Sequence, residues 1–336
     1  MLLNLRRFLG EHRGTVAVAA ALGIVPFVGF MALASDMGTI LTVKHELQNA
    51  ADAASLGGAW GLIPYVGTTN PTPNWSNAQN LAANLVGQNR AEGQTLTDAQ
   101  IQVGYYNLAT KTMQSSSITP TPQDAPAVRV NINKQTGENG GPVRLFFAQV
   151  LGKNFADVRA TATAITGGPS KIPAGSGFPM AVSETLVQQW WNLDPAVSFR
   201  IGSDYHYPDD QAGQWTSFLV DANNVPIIRD LMDNGSPTEL KIGDNIWIEP
   251  GTKDSLFSYA QSKVGKIVLL PVVNANFATH AWTPILGFVA FYIEAAEGGS
   301  GKYIQGHLVK NYAIPYPNTD PGGPYYGGYV PPKLVN

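Results

Sequence analysis

The hydrophobic pattern opens with an unbroken apolar run, Thr15 to Ser35 (TVAVAAALGIVPFVGFMALAS), carrying no charged side chain over about 21 residues. That is the length at which a helix crosses a hydrocarbon core of ~30 Å. Asp36 closes the run, yet MGTILTVKHELQNAADAASLGGAW continues without proline and is rich in the helix formers Ala, Leu, Gln, Glu and Lys. The pattern predicts one rod from Gly14 to Trp60, roughly 70 Å long at ~1.5 Å per residue, half in lipid and half beyond it. In the projecting half, Ile40, Val43, Leu47, Ala50 and Ala54 recur at intervals of 3, 4, 3 and 4. This is the a/d rhythm of a packing seam, and Lys44, Glu46, Gln48, Asn49 and Asp52 fall largely elsewhere on the surface. Such a stripe needs a partner, either another helix or the protein's own globular part.

Gly57, Gly58 and Gly61, with Pro64 beyond, predict the end of the rod, and IPYVGTTNPTPNWS reads as a loop. SNAQNLAANLVGQNRA predicts a short amphipathic helix, with Ser76 as N-cap and Ala78, Leu81, Ala82, Leu85 and Val86 as its apolar face. IQVGYYNL, AVRVNINK and DVRATATAIT alternate with the period of half-buried strands, while PVRLFFAQVLG, opened by Pro142, reads as a helix between the last two. These elements describe a small α+β domain over residues 63–168. TGGPSKIPAGSGFP, dense in Gly, Pro and Ser, reads as a linker. Past it, VSFRIG, TSFLV, NIWIE, GKIVLLPVV, ILGFVAFYIE and KYIQGHLV predict short strands, with SETLVQQWW as a short helix. Residues 169–336 therefore read as a β-rich, sandwich-like or partly open barrel domain. The tail, IPYPNTDPGGPYYGGYVPPKLVN, predicts no regular structure, although Tyr316, Tyr325, Tyr326 and Tyr329 can pin it to a surface. The fold class is thus α+β: residues 1–62 supply a cytoplasmic stub, a transmembrane helix and a helical rod, and the two domains follow.

Charge sets the orientation. Arg6, Arg7 and Arg13 precede the apolar run while only Lys44 lies close after it, which places the N-terminus in the cytoplasm and everything past Asp36 outside. Pro26 cannot donate to the carbonyl of Leu22 and marks a bend. A cleaved signal peptide is the competing reading, because Ala32-Leu33-Ala34 is an A-x-A site after a basic stretch. Against it stand the length of the apolar run and the helical pattern that passes straight through the cut. With 13% charged residues, a net charge of −3 and a pI near 5.9, the chain lacks the basic footprint of a nucleic-acid binder. It contains no cysteine, so its stability rests on an ordinary core.

At this point the residues carry a resemblance. RGTVAVAAALGIVPFVGFMALASDMG followed by LQNAADAASLGGAW resembles the N-terminus of the TadE/TadG-like proteins of bacterial Tad (tight adherence, Flp) pilus-assembly systems. Gly14, Asp36 and the segment from Gln48 to Ala59 carry the match, and the stretch from KIVLLPVVN to GKYIQGHLV is similar to the C-terminal region of such proteins. The resemblance implies a single-pass protein of the bacterial inner membrane with a periplasmic or extracellular ectodomain. It also implies other pilus-assembly or pilin subunits as partners, and no catalytic residues. The sequence departs from the pattern of related proteins twice: no acid follows Gly14 as in processed pilins, and no D-x-S-x-S metal motif of a von Willebrand A-type domain is present.

Chemistry is sparse. GGSGKY, from Gly298 to Tyr303, lacks the first glycine and the hydroxyl residue of a phosphate loop and reads as a hairpin turn. DANNVPIIRDLM begins like a calcium loop, but Pro226 and Met232 replace the required Gly and Glu. SDYHYPDDQAGQW places Asp204, His206, Asp209 and Asp210 beside Tyr205, Tyr207 and Trp215, which makes Asp204, Asp209 and Asp210 candidate Ca²⁺ ligands and the aromatics candidate sugar contacts. The bland alternative is a solvated turn. Trp190, Trp191 and Trp247 read as core filler. No nucleophile and base pair presents itself, so the expectation is a structural protein without a cofactor, with a surface adhesin or ligand-binding module as the alternative.

Overall fold

The computed structural model describes residues 13–66, 71–191, 197–203, 207–208, 211–222, 224–249, 253–274 and 278–335. The chain divides into two compact units. One holds the residues up to Ala53, Asn84–Gln100 and Val130–Ala162; the other holds Ala54–Ala83, Ile101–Arg129 and Thr163–Asn336. The fold is α+β, with a long N-terminal helix and β-rich C-terminal sheets.

In the first unit the helix Arg13–Trp60 begins as an apolar rod with Pro26 inside it, and becomes a packed helix from Val43 onward. A hairpin joins Arg90–Ala91 to Gln94–Thr95 through Glu92 and Gly93, both at positive φ, as a type I′ two-residue turn requires. Nearby, the buried Lys134 ammonium reaches Glu92 at 3.2 Å and the carbonyl of Asn139 at 3.0 Å. Asn139 in turn donates to the carbonyls of Asp98 and Asn133 and accepts from the N–H groups of Thr97 and Asp98. A buried charge of this kind is tolerated only when paired and hydrogen-bonded.

The helix expected over PVRLFFAQVLG does not form. Val143–Arg144 pairs antiparallel with Phe155–Ala156, and a single 3₁₀ turn, Ala148–Leu151, lies between them, closed by Gly152 at φ 75°. Phe146, Phe147, Val150 and Leu151 would share one face of a helix, but all four are exposed, so no burial against the protein stabilises a helix here.

In the second unit the long helix runs through Gly57 and Gly58 and ends at Trp60. Those glycines serve packing as well as termination: a Cβ at Gly58 would meet Ala82 Cβ at 2.9 Å, and one at Gly61 would meet Ala78 Cα at 2.7 Å. The helix they face, Trp75–Gly87, is capped by Asn74, whose side chain accepts from the N–H of Asn77 at 3.2 Å, and Ser76 lies inside it. Ala78, Ala82 and Val86 form its buried face, and Leu81 is exposed.

The second unit's part of the large sheet has the order 312–313, 328–335, 163–172, 124–129, 101–107, 112–115, and two short strands, 240–241 and 320–323, also pair with 163–172. Two expectations are overturned here. The first half of the Gly/Pro-rich stretch read as a linker, 166–172, is the second half of the strand Val158–Ile172, and the tail read as irregular supplies Asp320–Gly323 and Gly328–Val335. Both fail for one reason. Glycine lets backbones approach where a side chain could not: Gly167 sits at φ 136° under Pro126, and Gly168 lies against the backbone of Pro324.

A six-stranded sheet follows, ordered 199–201, 303–308, 287–297, 267–273, 180–183, 213–215, antiparallel except where 267–273 runs parallel to 180–183. Leu270, Phe288, Phe291, Trp215 and Phe257 lie in its core with the helices Glu184–Trp191, Val225–Asn234 and Asp254–Ala260. TSFLV is no strand, since the pairing residues are Gly213–Trp215 just before it. DANNVPIIRDLM forms a helix capped by Asn224, and GGSGKY spans the turn between 287–297 and 303–308.

Candidate functional site

From Leu22 to Leu41 the long helix leaves large apolar side chains open on several faces, including Leu22, Phe27, Phe30 and Met31. A helix that is apolar all round and unburied suits a lipid environment, and this one is long and apolar enough to cross a membrane.

Asp36 marks the change. Its carboxylate accepts three backbone N–H bonds, from Phe146 and Phe147 at 2.9 Å and from Ala148 at 2.7 Å. These are the unpaired amides at the start of the Ala148–Leu151 turn, so a side chain more than 100 positions away supplies the cap that no local residue provides. Desolvation raises the carboxyl pKa, but the three N–H bonds outweigh it and hold the group below its ordinary value. The sequence announced Asp36 only as the end of an apolar run. Its partners were not legible, because backbone amides leave no mark in a sequence.

Past Asp36, Val43, Leu47, Ala50 and Ala54 are buried within the chain itself, as is Ala51, and Ile40 is half-buried. Polar residues beside the stripe also bond within the chain. Glu46 accepts from the N–H of Glu92 at 2.7 Å, and Gln48 donates to Asp52 at 2.8 Å and to the carbonyl of Thr161 at 3.2 Å. Asp204, His206, Asp209 and Asp210 lie outside the described residues, as does Tyr205. At the end of that loop Trp215 is a buried strand residue packed edge-on to Phe257. Trp190 stacks on Phe199 at 4.6 Å, and Trp247 meets Trp282 at 5.4 Å.

The second unit contains a cavity of about 910 Å³ that the sequence did not announce. Tyr65, Trp75, Tyr105, Trp191 and Tyr325 line it, with the carboxylates of Asp124 and Glu184. Tyr65 stacks on Tyr325 at 4.2 Å, and its buried hydroxyl has no hydrogen-bond partner. Burial drives the Tyr65 phenol well above its usual pKa. Asp124 is held low despite desolvation by bonds from the Thr121 hydroxyl and N–H, Asn107 and Gln114. Tyr326 donates to Glu184 at 3.1 Å. The contributors come from four separated stretches of sequence, which is why no local motif reveals them.

An exposed apolar helix leading into an α+β body fits a membrane-anchored protein. Residues 14–61 match the family described as putative Flp pilus-assembly TadE/G-like, and residues 53–164 match putative Tad-like Flp pilus-assembly. Together the two matches make residues 14–164 similar to Tad/Flp pilus-assembly proteins. No curated protein and no solved structure matches it.

Proposed function

We propose that this protein is a structural component of Tad/Flp-type pilus assembly, held in the inner membrane by the helix around residues 15–35 and exporting everything past Asp36. The observation that carries this is the change along one unbroken helix, from large apolar side chains open on several faces between Leu22 and Leu33 to an apolar stripe buried in the protein from Val43 on. Such a helix ties an ectodomain to the bilayer, a role that needs no catalytic group. Its partners are other assembly or pilin subunits. Protease added to spheroplasts tests the topology: digestion of the chain beyond Asp36 with a small protected N-terminal fragment supports it, and protection of the whole ectodomain overturns it.

A second reading, a ligand-binding or adhesive module, is favoured by the aromatic cavity beside Asp124 and Glu184. Stacking rings with nearby carboxylates suit saccharides. Retention of the purified ectodomain on a glycan array, lost on Trp75→Ala, would support it.

A further inference from the structure

The hairpin built on Val143–Arg144 and Phe155–Ala156 carries five large apolar side chains open to their surroundings: Phe146, Phe147, Val150, Leu151 and Phe155. Val150 is 90% exposed and Phe146 72%. An open patch of this size calls for a covering surface, and its position says which one. Phe147, Val150 and Leu151 form one side of an apolar groove of about 460 Å³, and the long helix from Pro26 to Leu33 forms the other. At ~1.5 Å per residue, Leu33 lies about 4.5 Å and Pro26 about 15 Å to the membrane side of Asp36. The hairpin turn therefore lies alongside the apolar span, and the three amide bonds to Asp36 fix it there.

Both arms of the hairpin carry charge next to the turn. Arg144 and Lys153 are both exposed, and the Arg144 guanidinium sits 6.0 Å from the Phe146 ring. Aromatic rings beside basic groups that can reach back to the headgroups are the chemistry of a bilayer interface.

We propose that this hairpin is a second membrane-contacting element, whose turn enters the outer leaflet beside the helix, with lipid acyl chains filling the groove between them. The inference rests on the helix being a retained anchor.

Because the chain has no cysteine, single labels can be placed without background. The full-length protein carrying Val150→Cys, Phe30→Cys or Thr110→Cys, each labelled with an environment-sensitive fluorophore, is reconstituted in phosphatidylethanolamine–phosphatidylglycerol vesicles, with or without doxyl-labelled lipids. The expected result is loss of fluorescence by doxyl quenching at Val150→Cys and Phe30→Cys and none at Thr110→Cys. Quenching at Phe30→Cys without quenching at Val150→Cys would overturn the hairpin's role while leaving the anchor in place, and blue-shifted but unquenched emission at Val150→Cys would assign the groove to protein instead. Absence of quenching at both would remove the anchor reading and this inference together.

Discussion

At the scale of single residues, two positions show how local identity is fixed by distant neighbours. Gly61 is a glycine because the Ala78 backbone lies where its Cβ would be. Gly61→Ala is expected to cost about 1–3 kcal/mol by overpacking, read from urea unfolding of the ectodomain. Asp124, buried and holding four hydrogen bonds, makes stability depend on pH. Its folded pKa lies below the unfolded one, so its contribution is complete above the unfolded value near ~3.9 and is lost as pH falls through the folded value. Unfolding series from about pH 5 to 2 should show that loss, and Asp124→Asn should flatten it. Asp36 follows the same logic by contact. Asp36→Ala leaves three amides without their acceptor, and limited proteolysis is expected to cut between Leu145 and Asn154 faster than in the parent protein.

At the scale of elements, the rod and the tail behave in opposite ways. The 3-4-3-4 stripe was legible because a helix repeats its face every 3.6 residues, whatever packs on it. What packs on it was not legible. Leu47 is wholly buried in the single chain, so Leu47→Asp is expected to destabilise the protein by about 3 kcal/mol or more through an unpaired buried carboxylate. A thermal melt of a fragment beginning at Asp36 measures this, and an unchanged Tm with lost pilus assembly would place the stripe against a partner subunit. The tail gave no periodic signal, yet Val330, Lys333, Leu334 and Val335 pair with Gly167, Ile165, Ala164 and Thr163. Removing the residues after Gly327 should therefore lower the Tm sharply, because it strips hydrogen bonds from a central strand. The Gly/Pro stretch from Thr166 to Ile172 misleads in the same way, since the glycines that allow close backbone approach are also the residues of flexible linkers.

At the scale of the whole molecule, the sequence sets one further expectation. The helix continues without a break from Arg13 through the A-x-A site at Ala32–Ala34 and into the packed rod. Mass spectrometry of the membrane-extracted protein is expected to find the N-terminus uncut, and a mature chain starting at Ser35 would convert the anchor into a signal peptide. What the sequence determined by itself were the features that depend on periodicity and length: the apolar span, the long helix, the packing stripe, most of the strands, the α+β class and the family pattern around Asp36. Only the tertiary structure decided the partners: the amides that Asp36 binds, the backbone that Gly61 admits, the strand the tail completes, and the rings that meet around the aromatic cavity. The difference is physical. A period is written along the chain, whereas a contact between residues 36 and 146 or between 65 and 325 depends on how the intervening elements pack, and no local stretch encodes it.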